Sequence, residues 1–135
     1  MTRFAYTPFP QFPVGMPLVD IHLSHGSQQL TVPALVDSGA ALNILPFDIG
    51  TELGFVWAEQ TFAIDLGGVL SGTQAYAVLL SAQIADLPST RLAFAWVNKS
   101  SNEIRMLLGQ VNFFQEFDIH FYGSHQQFEI GLKSS

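Results

Sequence analysis

Apolar and polar residues alternate at every second position over most of the chain, in short runs separated by turn-forming residues. A polar residue separates Val19 from Ile21, and another separates Ile21 from Leu23. A turn at residues 24–27 then leads into a second alternating run that ends at Asp37. A period of two is typical of half-buried β-strands, because successive side chains of a strand point to opposite faces. The sequence therefore predicts a β-hairpin here and a mainly β fold for the chain.

Helical spacing occurs in two short segments. Pro46 suits the first position of a helix and Gly54 its end, while Ile49 and Leu53, four residues apart, would share one face. The second segment covers residues 111–117. One or two short helices are therefore expected beside the strands.

Glycines interrupt the longest apolar stretch, residues 62–84. They are Gly67, Gly68 and Gly72. Glycine weakens the interior of a strand and often marks a bend. The stretch is therefore predicted to form two strands joined by a mobile glycine tip.

The composition indicates one folded domain with a core of its own. The chain has 135 residues, of which 48% are hydrophobic and only 12% are charged, whereas disordered chains are rich in charge and poor in apolar residues. A chain of this length is expected to form a single domain. The Pro-rich residues 1–13 are predicted to be an N-terminal extension, and residues 14–133 to be the domain itself.

Several classes of function are excluded by what the chain lacks. The net charge is −6 and the five Lys and Arg residues are scattered, so no basic stripe is present to bind nucleic acid. The absence of cysteine excludes disulfides and thiolate zinc sites. The histidines lack the spacing of a zinc-protease motif, so neither a metal nor another cofactor is expected. They are His22, His25, His120 and His125.

The chain is expected to be cytoplasmic and to bind no membrane. Its longest uninterrupted apolar run, residues 75–80, falls far short of the roughly 20 residues that a bilayer-spanning helix needs. Residues 1–13 are broken by three prolines and offer no apolar helical segment to a secretion apparatus.

Asp37 is the most informative position, because it places an acidic residue at the end of an apolar strand. Ser38 and Gly39 follow it, and an apolar run at residues 42–45 comes next. These residue types favour turns for reasons unrelated to function, so the triplet by itself is explained equally well by an ordinary turn. Its position between two strands apolar enough to be buried favours a functional carboxylate, since perturbed groups cluster at functional sites.

Three blocks of the sequence, in this order, resemble the retropepsin-like aspartic proteases, the single-lobe, retroviral-type relatives of pepsin. The blocks are residues 34–45 around Asp37-Ser38-Gly39-Ala40, the glycine tip Gly67-Gly68-Val69-Leu70, and the helix-opening Met106-Leu107-Leu108-Gly109-Gln110. Residues 108–114 resemble a bacterial or cyanobacterial branch of this family. The resemblance spans most of the chain and implies a closed, β-barrel-like acid protease fold with a single lobe.

Peptide hydrolysis of this kind needs two carboxylates on one water, one ionised to accept a proton and one protonated to donate one. This chain has one Asp-Ser-Gly triplet, and its remaining acids lie in patterns typical of solvated surface groups. The second carboxylate must therefore come from a second copy. The resemblance implies the same arrangement, a homodimer in which two catalytic Asp37 side chains meet on the twofold axis.

The resemblance also assigns roles to the residues that follow Asp37. Ser38 would hydrogen-bond across the dimer and hold both loops in place. Gly39 would let the substrate backbone approach the floor of the site. Ala40 completes the predicted active-site support.

The glycine tip would be a flap that closes over a peptide or protein substrate. Gly67 and Gly68 would form its tip and give backbone hydrogen bonds to an extended peptide. Val69 and Leu70 would line side-chain pockets, although a buried strand explains these two nearly as well. A broad preference for bulky apolar side chains beside the cut is therefore expected.

Two positions depart from the retroviral pattern. Ala41 and Gln110 stand where many retroviral enzymes have an acidic residue and an arginine that pair beneath the active site. Both partners are absent together, as expected if the pair was replaced as a unit, because one buried charge left alone is costly. The chain also ends in a predicted hairpin at residues 117–132, whose apolar face would supply a dimer sheet.

Two alternatives to an active homodimeric protease stay open. One is a catalytically silent domain of the same fold that serves as a dimeric peptide-binding or scaffold module, since fold alone does not determine function. The other is a precursor-processing domain whose partner supplies the second aspartate. The intact Asp37-Ser38-Gly39 triplet favours the enzyme, because a module without catalysis has no need of a paired carboxylate.

Overall fold

The computed structural model describes residues 1–134, with the backbone alone described at Val69. This part of the chain is mainly β and has two short α-helices, which confirms the prediction of fold class at that level. The strands are β1 (Thr2–Ala5), β2 (Leu18–His25), β3 (Gln28–Val36), β4 (Ile44–Leu45), β5 (Ala63–Ile64), β6 (Ala75–Ile84), β7 (Thr90–Val97), β8 (Leu107–Leu108), β9 (Phe117–Tyr122) and β10 (Gln127–Leu132). The helices are α1 (Phe47–Glu52) and α2 (Phe113–Glu116).

Seven strands form one sheet, and six of them close into a ring. Their order is β2-β3-β8-β4-β7-β6-β5, and β2 also pairs with β6. Two strands pair with the same edge of β6. Ala75 and Tyr76 of β6 pair with β5, and residues 81–84 pair with β2. Closure leaves none of these six strands at the edge of the ring, as in a barrel-like fold.

The predicted hairpin is confirmed as β2 and β3. Ile21 lies opposite Val32, and both side chains are buried. The last pair is His25 with Gln28, so the turn lies one residue later than predicted. Gly26 has φ +59° within this turn, a left-handed conformation that glycine adopts without strain.

The ring-like sheet carries a different apolar cluster on each face. Successive residues of β7 alternate between the two clusters: Phe94 and Trp96 belong to the main core, whereas Ala95 and Val97 belong to a smaller second cluster. Ile44 of β4 joins the second cluster. This alternation follows from the period of two in the sequence.

Both helices are shorter than the segments predicted for them. Pro46 is the N-cap of α1 rather than its first residue, and Gly54, at φ +89°, follows its C-terminus. α2 is a single turn, because the chain passes directly into β9 at Phe117. No helix within residues 1–134 is long and apolar enough to cross a membrane.

A separate three-stranded sheet, in the order β1-β10-β9, joins the two ends of the chain. Phe4 of β1 lies opposite Phe128 of β10, so a paired strand falls within the residues 1–13 that are predicted to be an extension. The inner face of this sheet is apolar, and Phe128 and Ile130 are buried in the main core. Part of the apolar face of the hairpin at residues 117–132 therefore packs on this chain's own core, whereas Phe121 and Leu132 on the same face are 39% and 49% exposed.

Candidate active site

Asp37 lies directly after β3, where the chain leaves the sheet. Its backbone amide donates to the carbonyl oxygen of Leu108 in β8, 3.0 Å away. Its side chain is half-buried, and its Oδ1 accepts a hydrogen bond from the backbone amide of Gly39 at 2.9 Å. The backbone amide of Ala40 donates to the Asp37 carbonyl oxygen at 3.1 Å. The turn at residues 37–40, called the Asp37 loop below, therefore orients the carboxylate with its own backbone.

The segment after β8 holds the Asp37 loop in place. The backbone amide of Gln110 donates to the carbonyl oxygen of Ala40, and its side-chain Nε2 donates to the carbonyl oxygen of Ser38, both at 2.8 Å. Only glycine fits at position 109, because a Cβ there would lie 2.6 Å from the Ala40 carbonyl oxygen. Gln110, which stands where the retroviral pattern has an arginine, thus binds the backbone of the loop through a neutral amide.

Asn43 is the only buried polar side chain within residues 1–134, with an exposed fraction of 0%. Its Oδ1 accepts a hydrogen bond from the backbone amide of Gly109 at 2.7 Å. Its Nδ2 donates to the carbonyl oxygen of Ala93 at 2.9 Å and to Oδ1 of Asn112 at 3.1 Å. Asn112 Oδ1 also accepts from the backbone amide of Ala93 at 3.0 Å. The network ties β7 to the segment that holds the Asp37 loop, and it satisfies the polar groups that burial would otherwise leave unpaired.

A pocket of about 530 Å³ opens beside Asp37. Its lining combines the loop residues Asp37, Gly39 and Ala40 with the tip residues Gly67, Gly68 and Leu70. The rest of the lining is aliphatic: Ala41, Leu42, Ile44, Leu66 and Leu107. Among the described residues that line it, Asp37 alone carries an ionisable side chain. The pocket is therefore an apolar groove with a single carboxylate, of a volume typical of ligand sites.

The glycine tip forms a 3₁₀ turn at Gly68–Leu70, between β5 and β6. The prediction of two strands joined by a glycine connection is thus confirmed. Gly68 has φ +63°, and a Cβ placed on Gly67 or Gly68 would meet no atom within 4 Å. The backbone of the tip therefore borders open space. The pocket-lining role predicted for the Val69 side chain lies outside the described residues.

The structure brings most of the predicted site residues to one place, with Ser38 as the exception. Ser38 is exposed and does not line the pocket, and its contact with the rest of the site is made by its carbonyl oxygen. Sequence reasoning missed the roles of Asn43 and of the Gln110 side chain. Asn43 did leave a signal, since it is the one polar residue in the apolar run at residues 42–45.

A single carboxylate between apolar walls can accept a proton from water or donate one, but it cannot do both at once. The described lining of the pocket therefore holds one half of an acid–base pair. No cluster of three or more His, Asp or Glu side chains that could hold a metal ion occurs in the part of the chain that the structure describes.

No protein-family model matches this chain, and no curated protein matches it either.

Proposed function

We propose that this chain is an aspartic endopeptidase that acts as a homodimer, with its catalytic water held between two Asp37 carboxylates. The observation that carries the proposal is the apolar pocket lined by both Asp37 and the glycine tip. Since Asp37 is the one ionisable side chain among its described lining residues, one chain supplies half of the acid–base pair. A second copy, related by a twofold axis, supplies the other half.

Two carboxylates that share one water cannot both be ionised, so the pair shares a proton. The ionised Asp37 accepts a proton from the water, whose oxygen attacks the peptide carbonyl carbon. The protonated Asp37 of the other copy donates its proton to the carbonyl oxygen. When the tetrahedral intermediate collapses, the carbon–nitrogen bond breaks and the leaving amine takes up the proton that the first Asp37 accepted from the water. The second Asp37 recovers its proton from the hydroxyl that becomes the new carbonyl oxygen. The Gly39 amide holds Oδ1 at 2.9 Å, which leaves Oδ2 for the water and the shared proton.

The substrate class that fits this groove is an extended peptide with bulky apolar residues beside the scissile bond. The apolar walls are formed by Leu42, Ile44 and Leu107. Each additional methylene that the substrate buries against such walls raises kcat/KM by about tenfold or more. The backbone at Gly67 and Gly68 borders open space, so its polar groups can pair with the peptide backbone as an added strand does.

Cleavage of a peptide library by the wild type and by Asp37→Asn tests the proposal. Asp86→Asn is the matched control, because Asp86 is exposed in the turn after β6 and lies outside the pocket. Wild type and control are expected to cleave the same peptides, while Asp37→Asn loses about 10²–10⁴-fold in kcat, the usual contribution of an acid–base group. Equal cleavage by Asp37→Asn would refute the assignment. Binding without cleavage by a dimeric wild type, under both acidic and neutral conditions, would favour the silent peptide-binding module.

The shared site is tested by mixing chains. Asp37→Asn added to the wild type is expected to lower its activity, because mixed dimers hold one functional carboxylate, whereas added Asp86→Asn leaves the activity unchanged. Light scattering measures the oligomeric state in the same samples. An active monomer, or an Asp37→Asn chain that dimerises without inhibiting, would rule out the shared site.

A further inference from the structure

A cavity of about 500 Å³, separate from the pocket that contains Asp37, is lined in part by the segment that leads into β8. We call it the Arg105 cavity, after a residue of its lining. Met106 lines this cavity, whereas the next residue, Leu107, lines the Asp37 pocket. Met106 continues the pairing of β8 with β3, because its carbonyl oxygen accepts the Leu35 amide at 2.9 Å. Successive residues of a paired strand point to opposite sides, so one stretch of chain separates the two spaces.

The walls of the Arg105 cavity are largely aliphatic, and its volume is typical of ligand sites. The aliphatic side chains are Val32 and Pro33 of β3, Pro46 and Ile49 at the start of α1, and Ile104 and Met106 before β8. Val32, Pro46 and Met106 are buried. Walls of this kind favour an apolar group of a ligand over water, because its contact with them removes apolar surface from solvent.

Two exposed side chains of opposite charge, Glu103 and Arg105, line the same cavity without pairing with each other. Glu103 lies 4.0 Å from the ammonium group of Lys99. Among the residues that the structure describes, no carboxylate forms an ion pair with Arg105. Its guanidinium carbon lies instead 5.2 Å from the centre of the Phe9 ring. This cation–π contact uses the charge of the guanidinium and leaves its N–H donors for an anion.

Hydrogen bonds hold the loop that carries both charges. The backbone amide of Ser101 donates to Oδ1 of Asp48 at 2.7 Å. The amides of Glu103 and Ile104 donate to the carbonyl oxygen of Ser100 at 2.9 and 3.0 Å. A loop that is already held loses little conformational freedom when a ligand binds, and this favours binding.

We propose that the Arg105 cavity binds a free apolar α-amino acid. The carboxylate of the amino acid pairs with the Arg105 guanidinium, its ammonium group faces the Glu103 carboxylate, and its side chain packs on Ile49 and Met106. A zwitterion fits these charges better than a simple ion does, because Glu103 repels an anion and Arg105 repels a cation. The net charge of −6 adds to the repulsion of a purely anionic ligand.

Titration with L-leucine at neutral pH, followed by amide chemical shifts in two-dimensional NMR, tests the site. The shifts are expected to concentrate at residues 101–106 and at Ile49. Three analogues each remove one feature of the ligand: leucinamide lacks the carboxylate, N-acetylleucine lacks the ammonium group, and serine lacks the apolar side chain. Each analogue is expected to bind about three- to tenfold more weakly than leucine, since each loses one contact in a partly exposed site.

Two variants assign the charged contacts. Arg105→Gln is expected to bind leucine about three- to tenfold more weakly and no longer to distinguish it from leucinamide. Glu103→Gln is expected to show the same loss and no longer to distinguish leucine from N-acetylleucine. Arg91→Gln and Glu59→Gln are the matched controls, because both residues are exposed and lie outside the cavity. Both controls should bind like the wild type.

Three results would overturn the proposal. The first is the absence of saturable shifts, or shifts that lie away from the Arg105 cavity. The second is equal affinity for leucine and its three analogues, or binding of N-acetylleucine more tightly than leucine, which would indicate a simple apolar acid as the ligand. The third is unchanged affinity for leucine in both Arg105→Gln and Glu103→Gln. The titration involves no peptide cleavage, so its failure is distinct from a failure of the proposed function.

Discussion

The side-chain amide of Gln110 donates a hydrogen bond to the carbonyl oxygen of Ser38, 2.8 Å away and 72 positions earlier in the chain. This bond fastens the Asp37 loop at the residue next to the carboxylate. Because Ala41 and Gln110 are both uncharged, the loop is held here without an ion pair. The attachment of the Asp37 loop backbone to Gln110 therefore consists of neutral hydrogen bonds, which salt and pH change little.

Removal of the Gln110 side chain is expected to loosen the Asp37 loop. Gln110→Ala loses one exposed hydrogen bond, which contributes about 0.5–1.5 kcal/mol, so thermal stability should fall slightly while peptide cleavage falls more. Gln115→Ala, an exposed glutamine on α2, is the control. Calorimetry and kcat/KM on the same preparations separate the two effects, and unchanged cleavage by Gln110→Ala would show that the bond does not position the loop.

Loss of the buried Asn43 amide is expected to destabilise the whole domain. Asn43→Ala leaves the backbone amide of Gly109 without its acceptor and the carbonyl oxygen of Ala93 without its donor. Each buried unsatisfied group costs about 1–3 kcal/mol, so urea denaturation should show a loss of roughly 2–5 kcal/mol. Asn102→Ala, at an exposed position, should stay within about 0.5 kcal/mol of the wild type. Equal midpoints for the two variants would contradict the role of the network.

A methyl group at position 109 is expected to displace the Asp37 loop. The Cβ of Gly109→Ala would lie 2.5 Å from the carbonyl oxygen of Leu42 and 2.6 Å from that of Ala40, and backbone atoms cannot move aside cheaply. Overpacking of this kind costs about 1–3 kcal/mol. Gly123→Ala is the matched control, since a Cβ there meets no atom within 4 Å. Denaturation midpoints and amide exchange in the loop report the effect, and wild-type values for both would contradict it.

Asp48 is expected to give the stability a dependence on acidic pH. Its Oδ1 accepts the backbone amide of Ser101 at 2.7 Å, and its Oδ2 accepts the Ser101 hydroxyl. Partial burial raises the pKa of Asp48, but the hydrogen bonds from Ser101 outweigh it and hold the pKa below its ordinary value.

Since the folded-state pKa of Asp48 lies below the unfolded value of about 3.9, its ionised form stabilises the fold above that value. The contribution is lost as the pH falls through the folded pKa. The difference in unfolding free energy between wild type and Asp48→Asn should therefore be constant near neutral pH and change below about pH 4. A difference that is constant through acidic pH would argue against the Ser101 contact.

Much of the fold was predictable because local sequence patterns determine where its strands and helices form. Alternation placed the β2–β3 hairpin, and Pro46 and Gly54 bounded α1. The same rule places Asn43 on the opposite face from Leu42 and Ile44, where a polar side chain is expected to meet solvent, whereas its exposed fraction is 0%. It does not reveal Gly109 as the partner, because periodicity defines the face of a residue and not its contact 66 positions away.

Pairing between distant segments is the part that local patterns miss. Residues 1–13 read as an extension because their prolines break any period, yet Thr2–Ala5 forms a strand with β10. The hydrogen bond from Gln110 to Ser38 also joins distant segments. The sequence does not predict it, because a single glutamine forms no periodic pattern and its acceptor is a backbone oxygen. For the same reason the sequence favours a carboxylate at Asp37 without showing which elements support it.

The pairing of Thr2 with Ile130 also sets an order of events during synthesis. β1 pairs with β10 alone among the described strands, and β10 is the last of them to leave the ribosome. The first strand of the chain therefore waits, with Phe4 uncovered, until Gln127–Leu132 has emerged. Contacts of such long sequence separation form slowly, so this sheet can be completed only after all the strands of the other sheet have been synthesised.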